Sequence, residues 1–497
     1  MSKFNEKKQA EMVHNNAGGQ AYKQSSELEL VTILLNSFVA DDYYTKSTDQ
    51  ISSLSKVIAN VDPEFAAKAA VYARNEFGMR SITHVFAAEI AKHISGKPWA
   101  KHFYREIVAR PDDMTETLAY YFAKNGKSTS LPNSLKKGFK EAFNKFDGYQ
   151  LAKYRNDKKE VSLVDVVNLV HPKATSKNEI ALKKLVNGEL RSEGTFESVI
   201  SEAGKQGSKA KSEGWESLVL SGKIGQMALL KNMRNIVQNV SDETLDAACE
   251  LLTKESRIRS SKILPFRYVT AMDEMLLVSG SKAKRAQVAI SKALDISCAN
   301  VPKYKGETAI LLDLSDSMKS QIAGGKMSRI KAASLFAAMM AKANHADTVV
   351  FGTDAKHFPV NVNDSVIGIS KALSESNRGT YHVGHGTNFH TAITALNRKY
   401  DRIFIFSDME AWDGYYTPKS QFAEYKRKYN QNVKLYTFNL AANGTMQFPE
   451  NNVFALRGFS EKIFDVIDSL EIDKKALLNA ISNYIDFTEL AAKNKGQ

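Results

Sequence analysis

The sequence predicts a two-part chain, an all-α helical-repeat half followed by an α/β doubly wound domain. Three observations predict it. Up to about residue 300, apolar residues recur at helical spacing between short polar, Gly or Pro breaks. After "NVPKYKGE" (300–307) the grammar changes, and apolar strand-like runs alternate with helical ones. The first of those runs ends in "LLDLSDSMKS" (311–320), one carboxylate and two hydroxyls at alternating positions, which a buried strand cannot use.

In the first half, "ELELVTILLNSFV" (27–39), "PEFAAKAAVYARNEF" (63–77), "ITHVFAAEIAKHI" (82–94) and "MTETLAYYFAKNG" (114–126) each read as a helix. The breaks "NVDP", "SGKP", "ARPDD" and "NGKSTSLPNS" separate them. Nothing there alternates like a strand for long. Helices of this length with short connections pack as antiparallel pairs, and repeated pairs stack into a HEAT-like solenoid. An irregular bundle is the alternative, because no exact sequence period is visible.

In the second half, "TAILLDLS", "DTVVFGTD", "DRIFIFSDM", "VKLYTFNLA" and "NVFALRG" read as strands. "MSRIKAASLFAAMMAKAN", capped by Ser328, "TNFHTAITALNRKY", "FAEYKRKYN" and "SEKIFDVIDSL" read as the helices between and after them. Fully apolar strands alternating with helices mean a parallel sheet covered on both faces. Ligands of such sheets bind at the carboxyl ends of strands, so Asp313 and Asp408 are expected on one edge.

Composition narrows the class. The chain has 497 residues, 43% apolar and 25% charged, as in a globular protein. No apolar run approaches the length of a membrane span, and the start "MSKFNEKKQAEMVHNN" lacks the apolar core of a secretory signal. Two cysteines, Cys249 and Cys298, support neither a disulfide framework nor a zinc cluster. A cytoplasmic protein without membrane association is expected. Net charge is +13, and residues 124–177 hold 12 Lys/Arg against 5 Asp/Glu. Such a patch suits phosphate, with a solvated helix face as the plain alternative.

Asp313, Ser315, Ser317, Thr387 and Asp408 form an oxygen donor set drawn from three loops. Hard divalent cations take such ligands, and Mg²⁺ is the expected ion. Two short motifs, "HVGH" (382–385) and "GKMS" (325–328), have the look of synthetase nucleotide signatures, but they stand in the wrong order. "AGGKMS" is not a phosphate-binding loop, because Ser320 occupies the place of its first glycine.

Residues 305–475 resemble a von Willebrand factor A domain with its metal-ion-dependent adhesion site. The five oxygen-bearing residues match that site one by one. His385 stands before Gly386-Thr387 where many members have glycine, and access to the ion would narrow there. The first half, over residues 15–300, resembles the TROVE module of the Ro autoantigen family and its bacterial relatives. The resemblance rests on "YARNEFGMRSITH" (72–84), "YQLAKYRNDKKEVSLVDVVNLVHPK" (149–173), "MALLKNMRNI" (227–236) and "ILPFRYVTAMD" (263–273). Residues 476–497 form a C-terminal helical tail.

The resemblance implies a ring of HEAT-like repeats closed by the A domain. It further implies Y RNA-like small noncoding RNA on the outer face and single-stranded 3′ ends of misfolded RNA in the central cavity. It implies a monomer acting in RNA quality control, with polynucleotide phosphorylase or another exoribonuclease as partner. In the family, a Lys-Tyr-Lys-x-x-Arg stretch and a Ser-His-x-Lys stretch help hold Y RNA. Lys153-Tyr154-Arg155 matches the start of the first, and His171-x-Lys173 the end of the second. The family's arginine has no counterpart, since Asp157 and Lys158 stand near its place, and Val170 replaces the serine.

Physical reading adds Lys136, Lys137 and Lys140 on the wet face of "LKKGFKEAFNKF", with its phenylalanines in the core, and Lys158 and Lys159 beside them. Lys231 and Arg234, three apart on one helix, are expected to line a channel, with Arg267 as a further candidate. Arg74 and Arg80 fit either ion pairs or RNA contacts. No nucleophile–base pair stands out, so a non-enzyme is expected. The alternatives are a metal-dependent adhesion or scaffold protein that binds an acidic partner and, last, a metal-dependent hydrolase.

Overall fold

A computed structural model describes residues 12–14, 20–23, 25–36, 47–155, 157–191, 196–261, 263, 265–298, 301–321, 327–410, 417–440, 445–448, 453–456, 464, 467–468, 470–471 and 475–493. The chain forms two compact units. One gathers Met1–Ser47, Gly225–Gln238 and Leu245–Ala476; the other gathers Thr48–Ile224, Asn239–Thr244 and Leu477–Gln497.

The second of these units is helical. Pro63–Asn75, Ser81–Glu89, Ala100–Glu106, Pro111–Asn125 and Asn133–Ala142 follow one another, and those at 63–75, 81–89 and 111–125 overlap the stretches the periodicity marks. Local chemistry starts them. Asp62 accepts from the Phe65 amide with Pro63 in the first turn, and Ser162 and Asp165 form a reciprocal capping box at Leu163–Val170. Phe139, Phe143 and Phe146 are buried, as their helical spacing required. The C-terminal tail belongs to this unit: Phe487 stacks on Trp99 at 5.6 Å, and Tyr484 meets the edge of Tyr72 at 5.2 Å.

One buried ionic knot crosses this unit. Arg74 donates to both carboxylate oxygens of Asp113 at 2.8–3.2 Å. His84 Nε2 lies 2.9 Å from Asp113 Oδ1, and the Ala109 and Arg110 amides donate to Oδ2 at 2.9 and 2.8 Å. Burial alone would raise the Asp113 carboxyl, but the His84 and Arg74 hydrogen bonds and charges hold it well below the usual carboxylate range. Arg80 pairs with Asp112 at 2.8 Å. Both arginines are therefore engaged as ion-pair partners.

The other unit is built on a six-stranded sheet of order β5-β4-β3-β6-β7-β9. Its strands are β3 (Thr308–Asp313), β4 (Asp347–Phe351), β5 (Ala355–Phe358), β6 (Arg402–Ser407), β7 (Lys434–Asn439) and β9 (Val453–Leu456). All neighbours are parallel except β4 and β5. The antiparallel edge strand departs from the expected all-parallel sheet; "AKHF" follows β4 after a short turn, which only an antiparallel partner permits. Every residue of β3 and β6 is buried, and Arg329–Asn344 packs with only scattered exposure because Ala, Met and Phe surround it. Ser328 caps that helix by accepting from the Lys331 amide. The expected helix at 387–400 is shorter, Phe389–Thr394.

Strands also occur in the first half. β1 (Met12–His14) and β2 (Gln20–Lys23) pair antiparallel, and β2 pairs with β8 (Thr445–Met446). Three- and four-residue strands are too short for alternation to register. Pro265–Leu276, Ser281–Ser297 and all but the last residue of the helix Gln226–Asn239 also belong to this unit. Among the described residues, no helix is long and apolar enough to cross a membrane.

Candidate metal centre and nucleic-acid interface

The parallel register sets Leu312 of β3 opposite Phe406 of β6, so both chains leave the sheet at the same edge with Asp313 beside Ser407. Ser407 Oγ donates to Asp313 Oδ2 at 2.6 Å, and the Ser315 amide donates to Asp313 Oδ1 at 2.8 Å. Ser315 Oγ and Ser317 Oγ lie 3.2 Å apart. The Thr387 loop is tied to the loop after β3 and to the turn after β4. The Asp316 amide donates to His385 O at 3.1 Å, Asn388 N to Gly352 O at 2.9 Å, and Gly386 N to Thr353 Oγ1 at 3.0 Å.

This crossing depends on glycine. A Cβ on Gly352 would stand 2.8 Å from the Gly384 and Val383 carbonyls, and Gly384 itself has a φ of +80°. Met409, directly after Asp408, holds a φ of +61° and is retained by the Ser407 hydroxyl and by Gln447.

Asp313, Ser315, Ser317, Thr387 and Asp408 are all at most 5% exposed. Burial and the neighbouring Asp408 carboxylate push the Asp313 carboxyl above the usual carboxylate range. Two carboxylates with hydroxyl oxygens around them are the chemistry of a hard-cation site, so the donor set fits a divalent ion such as Mg²⁺. A soft-metal site has no counterpart: among the described residues, no group of three or more His, Cys, Asp and Glu side chains is placed to hold a metal. Arg329 Nη1 donates to Asp408 Oδ2 at 3.2 Å and to Ser317 O at 3.4 Å. The sequence offered no sign of that neighbour, 79 residues away. His385 turns its ring outward, with Nδ1 3.1 Å from Asp316 Oδ1 and 62% of the side chain exposed.

The basic segment of the helical unit mixes free and engaged cations. Lys137, Lys153, Lys158, Lys159, His171 and Lys173 are exposed, while Lys136 and Lys140 are half-buried. His171 ends its helix in the left-handed region, at φ 48°, which puts it at the surface. Arg155 is a strut: it pairs with Asp157 at 2.7 Å and donates to the Gly188 and Leu190 carbonyls. Lys159 pairs with Glu116. Tyr149, Lys153, Tyr154 and Arg110 form a basic–aromatic stack, with Arg110 4.3 Å from the Tyr154 ring and Lys153 about 6 Å from both rings. Arg110 was missed in the sequence because it lies outside the lysine-rich run.

In the unit that holds the sheet, Lys231 and Arg234 are both exposed and line a cleft of ≈ 390 Å³ with Met227, Met233 and Arg267. Arg234 pairs with Glu274 at 3.3 Å, and burial lowers the pKa of Arg267. Arg267 thus joins the two cations that helical spacing paired.

The TROVE domain family matches residues 27–199 and 190–346, and the Ro60 vWA domain family matches residues 308–471. Among solved structures, the chain is similar to the crystal structure of the Deinococcus radiodurans RO (RSR) protein, at a TM-score of 0.58 and 16% identity. That likeness covers 92% of this chain and 99% of the other, and it concerns the fold. Telomerase protein component 1 of Mus musculus and that of Rattus norvegicus are each 23% identical over 340 residues, 51% of this chain. The chain spans 13% of the length of these two relatives. With TROVE matched over more than half of its residues and the A domain following in the family's order, the chain belongs to the TROVE-domain Ro family.

Proposed function

We propose that this protein is a non-catalytic RNA-binding protein of Ro type. Family membership over residues 27–346 carries the reading, and the basic–aromatic stack at Arg110, Tyr149, Lys153 and Tyr154 gives it a physical surface. Lysines bind phosphate with little regard to sequence, while exposed rings stack on unpaired bases. This surface, with Lys158, His171 and Lys173, holds a Y RNA-like small structured RNA. The cleft at Lys231, Arg234 and Arg267 takes single-stranded 3′ ends of misfolded RNA. The protein acts as a monomer in the cytoplasm, and an exoribonuclease of the polynucleotide phosphorylase class degrades the RNA it presents. The A-domain oxygen set holds Mg²⁺, which orders three loops or accepts an acidic group of a partner.

The test is a binding titration at several salt concentrations. It compares a structured RNA bearing a single-stranded 3′ tail with the same RNA made blunt, and it includes a Lys153→Glu/Lys158→Glu/Lys173→Glu variant. Salt-sensitive binding that favours the tail supports the reading. If neither RNA binds above a neutral control, the RNA reading fails. The convergence of Asp313, Ser317 and Asp408 then favours the second reading, a metal-dependent scaffold for an acidic protein.

A further inference from the structure

Arg329 is an unusual occupant for a divalent-ion site. Its side chain is 1% exposed and that of Asp408 is 0% exposed, so the 3.2 Å pair between them is wholly withdrawn from water. The same Nη1 reaches the Ser317 carbonyl at 3.4 Å. One guanidinium therefore bridges the loop after β3 and the loop after β6, the two segments that an ion at this site would join.

The placement is built into the chain. Gln321 and Ser328 form an isolated antiparallel bridge, and the Arg329 amide donates to Ser320 O at 2.9 Å. The Ser328 cap then begins the helix at Arg329 itself, whose first turn faces the site. The guanidinium is a fixed positive charge. Removing it from water is costly unless a carboxylate compensates, and Asp408 is such a partner. A divalent ion that takes Asp408 as a ligand must share that carboxylate with a fixed positive charge a few ångströms away. In a site shielded from solvent, such repulsion is large.

We propose that Arg329 is a built-in cation of this centre, which joins the Asp408 loop to the Ser317 loop in the metal-free protein and keeps affinity for a divalent ion low. The inference rests on the reading of the five oxygen residues as a metal site, and it concerns how that site is tuned. An ion held weakly in this way binds firmly only when a partner brings a further oxygen ligand, such as a carboxylate or a phosphate. The centre then responds to a partner and stays structured without one.

The experiment uses the full chain and Mn²⁺ as the probe. Mn²⁺ is titrated calorimetrically into the wild type, Arg329→Gln, Arg329→Lys and Asp313→Ala, and thermal midpoints are read in EDTA and in excess Mn²⁺. Arg329→Gln is expected to bind Mn²⁺ roughly tenfold tighter or more, because the repelling charge is gone. Arg329→Lys, which keeps the charge, is expected within about threefold of the wild type. The Arg329→Gln midpoint falls in EDTA and recovers with Mn²⁺, while that of the wild type barely changes on chelation. Wild-type binding equal to or tighter than that of Arg329→Gln overturns this inference alone. Absence of binding by wild type and Arg329→Gln alike overturns the metal reading and the inference with it. If Arg329→Gln cannot be recovered folded, the wild type decides: a midpoint that drops by more than about 10 °C in EDTA shows that Arg329 does not replace the ion.

Discussion

Asp113→Ala should bring this protein close to its unfolding limit. The carboxylate it removes receives Arg74, His84 and the amides of Ala109 and Arg110, all within 3.2 Å. Arg74 is 6% exposed, so the variant leaves a guanidinium inside the fold with no carboxylate opposite. Breaking a buried pair by deleting one partner costs about 3–5 kcal/mol. Two amides left without an acceptor add about 1–3 kcal/mol, and water entering the space vacated by the carboxylate offsets part of that. A net loss of about 4–6 kcal/mol is expected, against about 5–15 kcal/mol for a typical folded domain. Asp113→Asn keeps an acceptor but not the charge and should fall between.

Urea unfolding followed by circular dichroism measures both variants. The sign of the pH dependence follows from the depressed carboxyl. Its folded pKa lies below the unfolded value of about 3.9, so its stabilisation is present above that value and is lost as pH falls through the folded pKa. The gap between wild type and Asp113→Asn should therefore narrow on acidification below about pH 4. A loss under about 1 kcal/mol for Asp113→Ala at pH 7 would show that the knot is not the support described here.

Three further outcomes are expected. Gly352→Ala places a Cβ 2.8 Å from two carbonyls, so the Thr387 loop must shift; a stability loss of about 1–3 kcal/mol and weaker Mn²⁺ binding should appear in denaturation and calorimetry. Asp313→Asn relieves two facing buried carboxylates, so it should raise stability in EDTA by about 1 kcal/mol at pH 7 while reducing Mn²⁺ binding; unchanged Mn²⁺ affinity would remove Asp313 from the site. Lys231→Glu/Arg234→Glu should weaken binding of the tailed RNA and leave the blunt RNA unaffected, and equal losses on both would place the single-strand contact elsewhere.

The legibility of this chain varied with the range of the interaction. The helices at 63–75 and 111–125 were readable because their apolar spacing, Pro and Asp starts all act within a few residues. The hairpin strands at 12–14 and 20–23 were not, since so short a strand is defined by its partner, here β8 at 445–446. The edge strand β5 was hidden for the same reason.

At the candidate metal centre, the five oxygen residues could be singled out because their types suit a hard ion and each follows a strand or precedes a helix. Arg329 was not, because nothing local distinguishes an arginine at a helix start from one facing water. Among the lysines, spacing marked the charge but not its employment, and Arg155 proved to be a strut while Arg110 proved to stack on Tyr154.

What the sequence by itself determined was the order of element types and the change of grammar near residue 300, because propensity, capping and periodicity are local. Only the tertiary structure decided which charges are cancelled. Whether Arg74 or Arg329 meets a carboxylate depends on residues that are distant in sequence and brought near by packing. Coulomb energy depends on that spatial distance and on burial, neither of which can be read along the chain.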